Sequence, residues 1–376
     1  MREPQANRLS WRHFDFWLLG AVALLVIFGI TMIRSAVAGN IENAGLEMDQ
    51  LIFAVAGFIA LLITASIDYH LWASISRGLY FGTAITLIVL LLIGGAVFGS
   101  ARWFKVGPIS IQPSEIAKII MILFLADFFT RHRGQLENVK IIFRSFGWTL
   151  GITALILLQP NLSTSIVMIV LWFALLWAAG LRIKHLLLFS GIGFLAILVT
   201  FPLMVKFQII QPYQLARITN FLLPDPNASY GESYNIEQAL ISIGSGGLLG
   251  QGYGHGSQVQ LRFLKVRWSD FIFSAMAQEF GFVGTVLILL VLLFVIYRCL
   301  RAARLSRDTY GALIAFGVAT LLTFQAVVNI GVNLKLLPAT GLTLPFVSYG
   351  GSSLLSTLLG IGLVESVILR HKALEF

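Results

Sequence analysis

The sequence predicts an all-α, polytopic membrane protein with ten transmembrane helices, cytoplasmic N- and C-termini, and one large extracytoplasmic loop, 206–270, between spans 7 and 8. Three observations carry that prediction. Of 376 residues, 57% are hydrophobic and 11% charged, with a mean hydropathy of +0.87. Soluble domains carry about 25% charged residues, so most of this chain must face lipid or segments that do. The apolar residues also fall in runs near the roughly 20 residues that cross a hydrocarbon core. Finally, the cations are unevenly placed between alternate loops, as orientation in a membrane requires.

Taken in order, the spans are 16–34, 51–67, 79–98, 115–129, 145–158, 162–181, 186–205, 271–297, 311–334 and 351–369, all within a single membrane domain, 1–376. The first follows Arg2, Arg8 and Arg12 and precedes Ala36-Val37-Ala38, a pattern shared with secretory signals. Its uncharged stretch from Phe16 to Ile33 is longer than a usual signal core, which predicts a retained helix. Spans 4 and 5 are short; span 4 contains Glu115, Lys118 and Asp127, and span 5 ends at Gln159-Pro160. Both are needed to keep the charge alternation. With the N-terminus inside, sixteen Lys and Arg fall on cytoplasmic segments, while Arg34, Arg102, Lys105, Lys206, Arg217, Arg262, Lys265, Arg267 and Lys335 fall outside. The inner set follows from topology alone. The outer set lies where the rule disfavours cations, and its natural partner is an anion. The formal net charge of +9 therefore does not imply nucleic acid. The one cysteine, Cys299, excludes an intrachain disulfide, and no His/Cys cluster has metal-ligand spacing.

The long loop carries most of the chemistry, as long loops do when they are ordered. Apolar residues at 236, 239, 240 and 243 have the spacing of an amphipathic helix lying on the outer surface or over a cavity mouth. Gly244 to Gly256 follows, dense in glycine but without GxxxxGK[ST] or GxGxxG. It reads either as tight turns needing positive φ or as backbone N–H groups approaching an anion. The loop ends at Asp270, at the outer mouth of span 8. There a carboxylate can stay ionised yet shielded, as a general base requires, or it can cap the helix that follows. Glu115 and Lys118, at i and i+3, share a helix face and can pair; inside a membrane they imply a polar cavity or mutual neutralisation. Glu279 lies nine residues into its span, and Glu365 and Asp127 lie near cytoplasmic ends. The segment Pro338–Ser353, rich in Pro, Gly and hydroxyls, predicts irregular backbone, tolerated at membrane depth only around protein or water.

Asn329 to Ser353, Arg102-Trp103, Gln112-Pro-Ser-Glu-Ile-Ala-Lys118, Ile243-Gly-Ser-Gly-Gly247 and Ser269-Asp-Phe-Ile-Phe273 together resemble the SEDS family, which includes the RodA, FtsW and SpoVE branches. Gly256-Ser257-Gln258 with Leu261 and Phe263-Leu264 is most similar to the RodA branch. The resemblance implies a peptidoglycan glycosyltransferase of the bacterial cytoplasmic (inner) membrane, polymerising lipid II on the extracytoplasmic face during cell wall elongation. It implies Asp270 as the catalytic base and Arg102, Lys118 and Arg217 as the groups facing the leaving pyrophosphate. Glu115 would orient Lys118, while Trp103 and Ser348 would line the site. It implies no organic cofactor. A divalent cation, magnesium or manganese, would assist the leaving group, although the sequence offers no defined ligand set. The implied partners are lipid II, membrane lipids and a class B penicillin-binding protein, whose single transmembrane helix is expected near 271–297 and 311–334.

The chain departs from the family pattern at Asn161 and Ser163, where Asp and Gly are common, at Lys265-Val266, where Pro-Glu is common, and at Ser269, where Thr is usual. Two other readings compete with polymerisation. A lipid II flippase would depend on charges distributed through the membrane, and a non-catalytic scaffold for the transpeptidase would make Asp270 dispensable.

Overall fold

The computed structural model describes residues 13–39, 43, 45–93, 102–106, 109–136, 138–181, scattered positions between 184 and 223, and 231–370. Among them run α1 (Phe16–Val37), α2 (Leu46–Ser66), α3 (Tyr69–Ile93), β1 (Phe104–Val106), β2 (Ile109–Ile111), α4 (Pro113–Arg131), α5 (Val139–Leu158) and α6 (Leu162–Ala178). After them come α7 (Glu232–Gly246), α8 (Ser257–Gln260), α9 (Ile272–Leu305), α10 (Thr309–Asn333) and α11 (Gly351–Leu369).

Seven of these helices, α1, α2, α3, α5, α9, α10 and α11, are long and apolar enough to cross a membrane. The 17-residue α6 and the charge-bearing α4 coincide with two further expected spans. Most of the expected span 186–205 and much of the loop that follows lie outside the described residues. Helix starts are set by polar caps: Asp15, Asn138, Asn161 and Asp308 each accept a backbone N–H from the first turn they precede. Helices α3 and α5 begin ten and six residues before their expected spans. Each continues as helix through polar residues such as Arg77 and Arg144, which carry no apolar signal.

The centre of the bundle is α4, α10 and α11. Of their most apolar stretches, 67% of α10 and 78% of α11 is buried, against 28% for α3 and α9, whose exposed Phe81, Leu92, Leu287 and Leu293 face outward as lipid-facing residues do. Helices α2 and α11 pack along their length. Their approach requires small residues: a Cβ on Gly362 would lie 2.6 Å from the Leu61 carbonyl. The paired strands β1 and β2 form a hairpin with Phe104 opposite Ile111. Ser352 fastens it to α11, accepting from Gln112 N–H (2.9 Å) and donating to the Ser110 carbonyl (3.3 Å).

Helix α9 breaks at Gly281 (φ 66°, ψ −169°). The carbonyls and amides freed by the break are satisfied by the glycine-rich run. Gln251 N–H donates to Gln278 O (2.9 Å) and Gly252 N–H to Glu279 O (3.0 Å), while Phe282 N–H reaches Gly247 O (2.9 Å). Gly247, Gly250, Gly252 and Gly254 all have positive φ, and a Cβ on Gly250 would meet Glu279 O at 2.2 Å. Of the two expectations for this run, tight turning is the one observed. Its amides at 251 and 252 bind protein carbonyls rather than facing an anion site.

At the α2–α3 and α9–α10 turns, Asp308 accepts from Gly311 N–H (2.7 Å), Tyr69 O–H (2.8 Å) and the His70 ring (2.7 Å), and His70 also meets Asp68 (2.8 Å). Partial burial pushes the Asp308 carboxyl up, but these hydrogen bonds outweigh it and hold the carboxyl below its ordinary 3.8. Its contribution is therefore full above that value and is lost as pH falls through the lower folded value. Asp308→Ala is expected to cost about 1 kcal/mol at pH 7. The difference from wild type in unfolding midpoint should shrink below pH ~3.8.

Candidate active site

Asp270 sits in the turn before α9 and is held through its backbone. Its carbonyl accepts from Asn329 Nδ2 (3.1 Å) and Asn333 Nδ2 (2.9 Å), both on α10. Asn333 Oδ1 in turn accepts from the N–H (3.2 Å) and hydroxyl (2.6 Å) of Ser274 in the first turn of α9. Capping of α9 is thus supplied from another helix. The residue at its N-cap is Phe271, so the Asp270 carboxylate is not spent on capping. That carboxylate is half-buried and accepts from the Ser269 hydroxyl at 3.0 Å.

The irregular segment before α11 is stitched onto the same turn. Ser348 donates to Ser269 O (2.8 Å) and accepts from Leu344 N–H (2.9 Å), and Tyr349 N–H donates to Trp268 O (2.8 Å). Gln50 of α2 closes this seam, donating to Ser348 O (3.2 Å) and accepting from Gly350 N–H (3.1 Å).

Asp270 lines a cavity of about 820 Å³ walled by α2, the hairpin, the N-terminus of α4, the α5–α6 turn and residues 340–353. Of the residues expected at the site, Arg102, Trp103, Glu115, Arg217 and Asp270 all line it. Arg102 donates to the carbonyls of Gln159 (3.0 Å) and Pro160 at the C-terminal end of α5, where unpaired carbonyls favour a cation. Arg217 donates to Thr340 O at 3.4 Å. Lys118 and Ser348 stand one layer back. Lys118 is fully buried with Nζ 2.7 Å from Glu115 Oε2, so it meets the cavity through Glu115. Ser348, expected at the lining, is buried behind it and braces the Asp270 turn.

Asn161 caps α6 by accepting from Thr164 N–H (3.2 Å) and donates to Ser114 Oγ (3.4 Å). Arg267 turns to Leu264 O (3.4 Å) and lies over the Trp268 ring. Among the described residues, no three His, Cys, Asp or Glu side chains come together as a metal would require.

Three polar residues at the site, Gln50, Gln325 and Asn333, were not singled out from the sequence. Their signal was available as amides at membrane depth, where polar groups are costly. Gln325 is the most pointed case. It lines the cavity at 1% exposure, and neither of its amide atoms has a protein partner among the described residues.

Residues 12–373 match the FtsW/RodA/SpoVE family of cell cycle proteins. The chain is 35% identical to the probable peptidoglycan glycosyltransferase FtsW of Trichlorobacter lovleyi, with 94% of this chain and 93% of the relative covered. It is 36% identical to the stage V sporulation protein E of Bacillus subtilis, over 94% and 96%. Among solved structures, a chain from work on the coordination of polymerization and crosslinking by a peptidoglycan synthase complex matches with TM-score 0.80 at 30% identity, over 95% of this chain and 98% of that one. The rod shape determining protein RodA of Thermus thermophilus matches with TM-score 0.69 at 29% identity, over 96% and 98%.

Proposed function

The chain belongs to the FtsW/RodA/SpoVE family, and on that premise we propose that its large cavity joins lipid II units into β-1,4-linked glycan at the outer face of the bacterial cytoplasmic membrane. It is a peptidoglycan glycosyltransferase, as its FtsW relatives and the synthase-complex neighbour support. One observation carries the assignment of the site. Asp270, a carboxylate on a turn clamped by Asn329 and Asn333, shares a cavity of about 820 Å³ with two guanidinium groups, Arg102 and Arg217.

Asp270 takes the proton from the acceptor GlcNAc 4-hydroxyl while that oxygen attacks the anomeric carbon of the donor MurNAc. The bond from that carbon to the phosphate oxygen breaks, and undecaprenyl pyrophosphate leaves with the electron pair. Attack opposite the leaving group converts the α-linked donor to a β link. Arg102 and Arg217 face the charge that develops on the leaving group, the placement that lowers such a barrier most. Trp103 offers a flat apolar wall to a sugar ring. The RodA-like residues at 256–264 favour service in elongation. The partner is a class B penicillin-binding protein, its helix lying on the exposed apolar face of α9 that carries Leu287, Leu290 and Leu293.

The test is reconstitution of the chain with a cognate transpeptidase and labelled lipid II. Long glycan strands are expected. Lipid II translocation without strands would sink the polymerase reading in favour of a flippase.

Gln325 gives a separate prediction. A buried amide without partners costs about 1–3 kcal/mol per unmet group, so Gln325→Leu is expected to leave stability unchanged or raise it. The same change removes a polar contact from the cavity wall and should raise KM for lipid II by about 10-fold, the size of one lost hydrogen bond. Unfolding midpoints and initial rates on the two proteins check both halves.

A further inference from the structure

A second cavity, of about 240 Å³, opens between α3, α4 and α5 at the end of α4 remote from Glu115. Glu115 and Arg131 lie about 24 Å apart along the helix axis, so the two cavities serve opposite faces of the membrane. Three arginines reach this cavity, one from each helix: Arg77, Arg131 and Arg144. Asp127, the one carboxylate there, is already engaged by Arg131 Nε (2.8 Å) and Ser76 Oγ (3.0 Å). His132 is turned inward, its Nδ1 meeting Phe128 O at 2.8 Å. Among the described residues, Arg77 and Arg144 have no ion-pair partner. The cavity is thus cationic overall.

Its second property is layering. Phe81 is four residues from Arg77 on α3, Trp148 four from Arg144 on α5, and Phe128 three from Arg131 on α4. One turn of helix is about 5.4 Å. On every wall, then, an aromatic ring lies one turn deeper in the membrane than the cation above it. Trp148 packs edge-on against both Phe81 and Phe124 to make the floor. Phe81 and the neighbouring Phe143 are exposed toward lipid. Topological charge bias explains arginines at this face, but not a pocket with cations over an aromatic floor that is open sideways to the bilayer. Arg301 and Arg304 on α9 do not line this cavity.

We propose that this pocket binds the phosphate-bearing headgroup of an anionic phospholipid of the cytoplasmic leaflet. The phosphate meets Arg77, Arg131 and Arg144, and the glycerol and first acyl carbons rest on Phe81, Phe124 and Trp148. A free phosphate would use the arginines and leave the aromatic floor unused.

The test uses the delipidated full chain in neutral detergent, titrated separately with short-chain phosphatidylglycerol, short-chain phosphatidylcholine and inorganic phosphate, with bound species read by native mass spectrometry. Phosphatidylglycerol is expected to bind and phosphatidylcholine to bind far less. Arg77→Gln/Arg144→Gln should weaken phosphatidylglycerol by about 30-fold, at roughly 5-fold for each charge. Phe81→Ser should weaken it as well. Arg301→Gln/Arg304→Gln, which removes equal charge from the same face, should leave it unchanged. All three variants alter exposed side chains, and an unchanged unfolding midpoint confirms that they fold. The proposal is overturned by equal losses in the two double variants, by no loss in Arg77→Gln/Arg144→Gln, or by inorganic phosphate binding as tightly as the lipid.

Discussion

Asp270→Asn is expected to slow glycan strand formation by about 10³-fold, the middle of the range for losing a general base, with no change in unfolding midpoint. The structure separates the two effects. The bonds that reach the Asp270 turn from α10 and the segment before α11 meet its backbone: Asn329 and Asn333 hold the Asp270 carbonyl, and Ser348 and Tyr349 hold Ser269 and Trp268. The carboxamide is isosteric and its oxygen still accepts from Ser269, but it cannot take a proton from the acceptor sugar. Turnover should therefore fall while lipid II binding persists, which appears as a loss in kcat with KM little moved. The contrasting variant is Asn333→Ala. It leaves the carboxylate intact but removes one of the two donors to the Asp270 carbonyl and the acceptor at the start of α9. Its loss should come with lower stability and with imprecise positioning, and Asn333→Asp should not restore the donor to the Asp270 carbonyl. Initial rates on labelled lipid II and unfolding curves on the same preparations decide the matter. Strand formation by Asp270→Asn at the wild-type rate would remove Asp270 from the role of general base.

How much of this was legible in the sequence differs by kind of feature. Apolar runs located the helices because burial in lipid acts on composition alone. The amphipathic spacing at 236–243 likewise located α7. Asp270 stood out because it is acidic at the mouth of a span. Helix starts were less legible: α3 and α5 extend through interfacial polar residues, and hydropathy does not register helix there. The break at Gly281 was hidden inside an apolar run, since a positive φ leaves no hydropathy signal. The strands β1 and β2, three residues each, are too short for alternation to show. The clamp on Asp270 was beyond reach for a different reason. Its bonds join residues 59 and 63 apart, and Gln50 reaches Ser348 across 298 positions. Polar residues in apolar helices can be flagged one by one, but their pairing is a property of the packed bundle. For the same reason the sequence does not show that Ser348, expected at the lining, and Lys118, expected to face the pyrophosphate, are buried behind the cavity wall.

Breaking the Glu115–Lys118 pair is expected to have opposite consequences depending on which partner is removed. Lys118 is wholly inaccessible, whereas Glu115 lines the cavity and its side chain retains 10% of its exposure. Glu115→Gln therefore strands a buried ammonium, which costs about 3–5 kcal/mol. Lys118→Met leaves a carboxylate that water in the cavity can still reach, and its cost in stability should be smaller. Function should follow the reverse order. The intact pair contributes no net charge to the cavity wall. Lys118→Met turns that wall negative beside a substrate that carries a pyrophosphate, a repulsion on the order of 1–2 kcal/mol at surface-like dielectric, so KM for lipid II should rise by about 10-fold. Glu115→Gln leaves positive charge and should spare KM in whatever fraction folds. The double variant Glu115→Gln/Lys118→Met removes both charges at once. It should regain most of the stability lost in Glu115→Gln, as replacement of buried ion pairs by apolar groups often does, together with most of the affinity lost in Lys118→Met. Unfolding midpoints and KM on the four proteins close the cycle. A KM in the double variant as high as in Lys118→Met would show that the lysine itself, rather than the charge balance of the wall, holds the pyrophosphate, and that Glu115 must swing aside to release it.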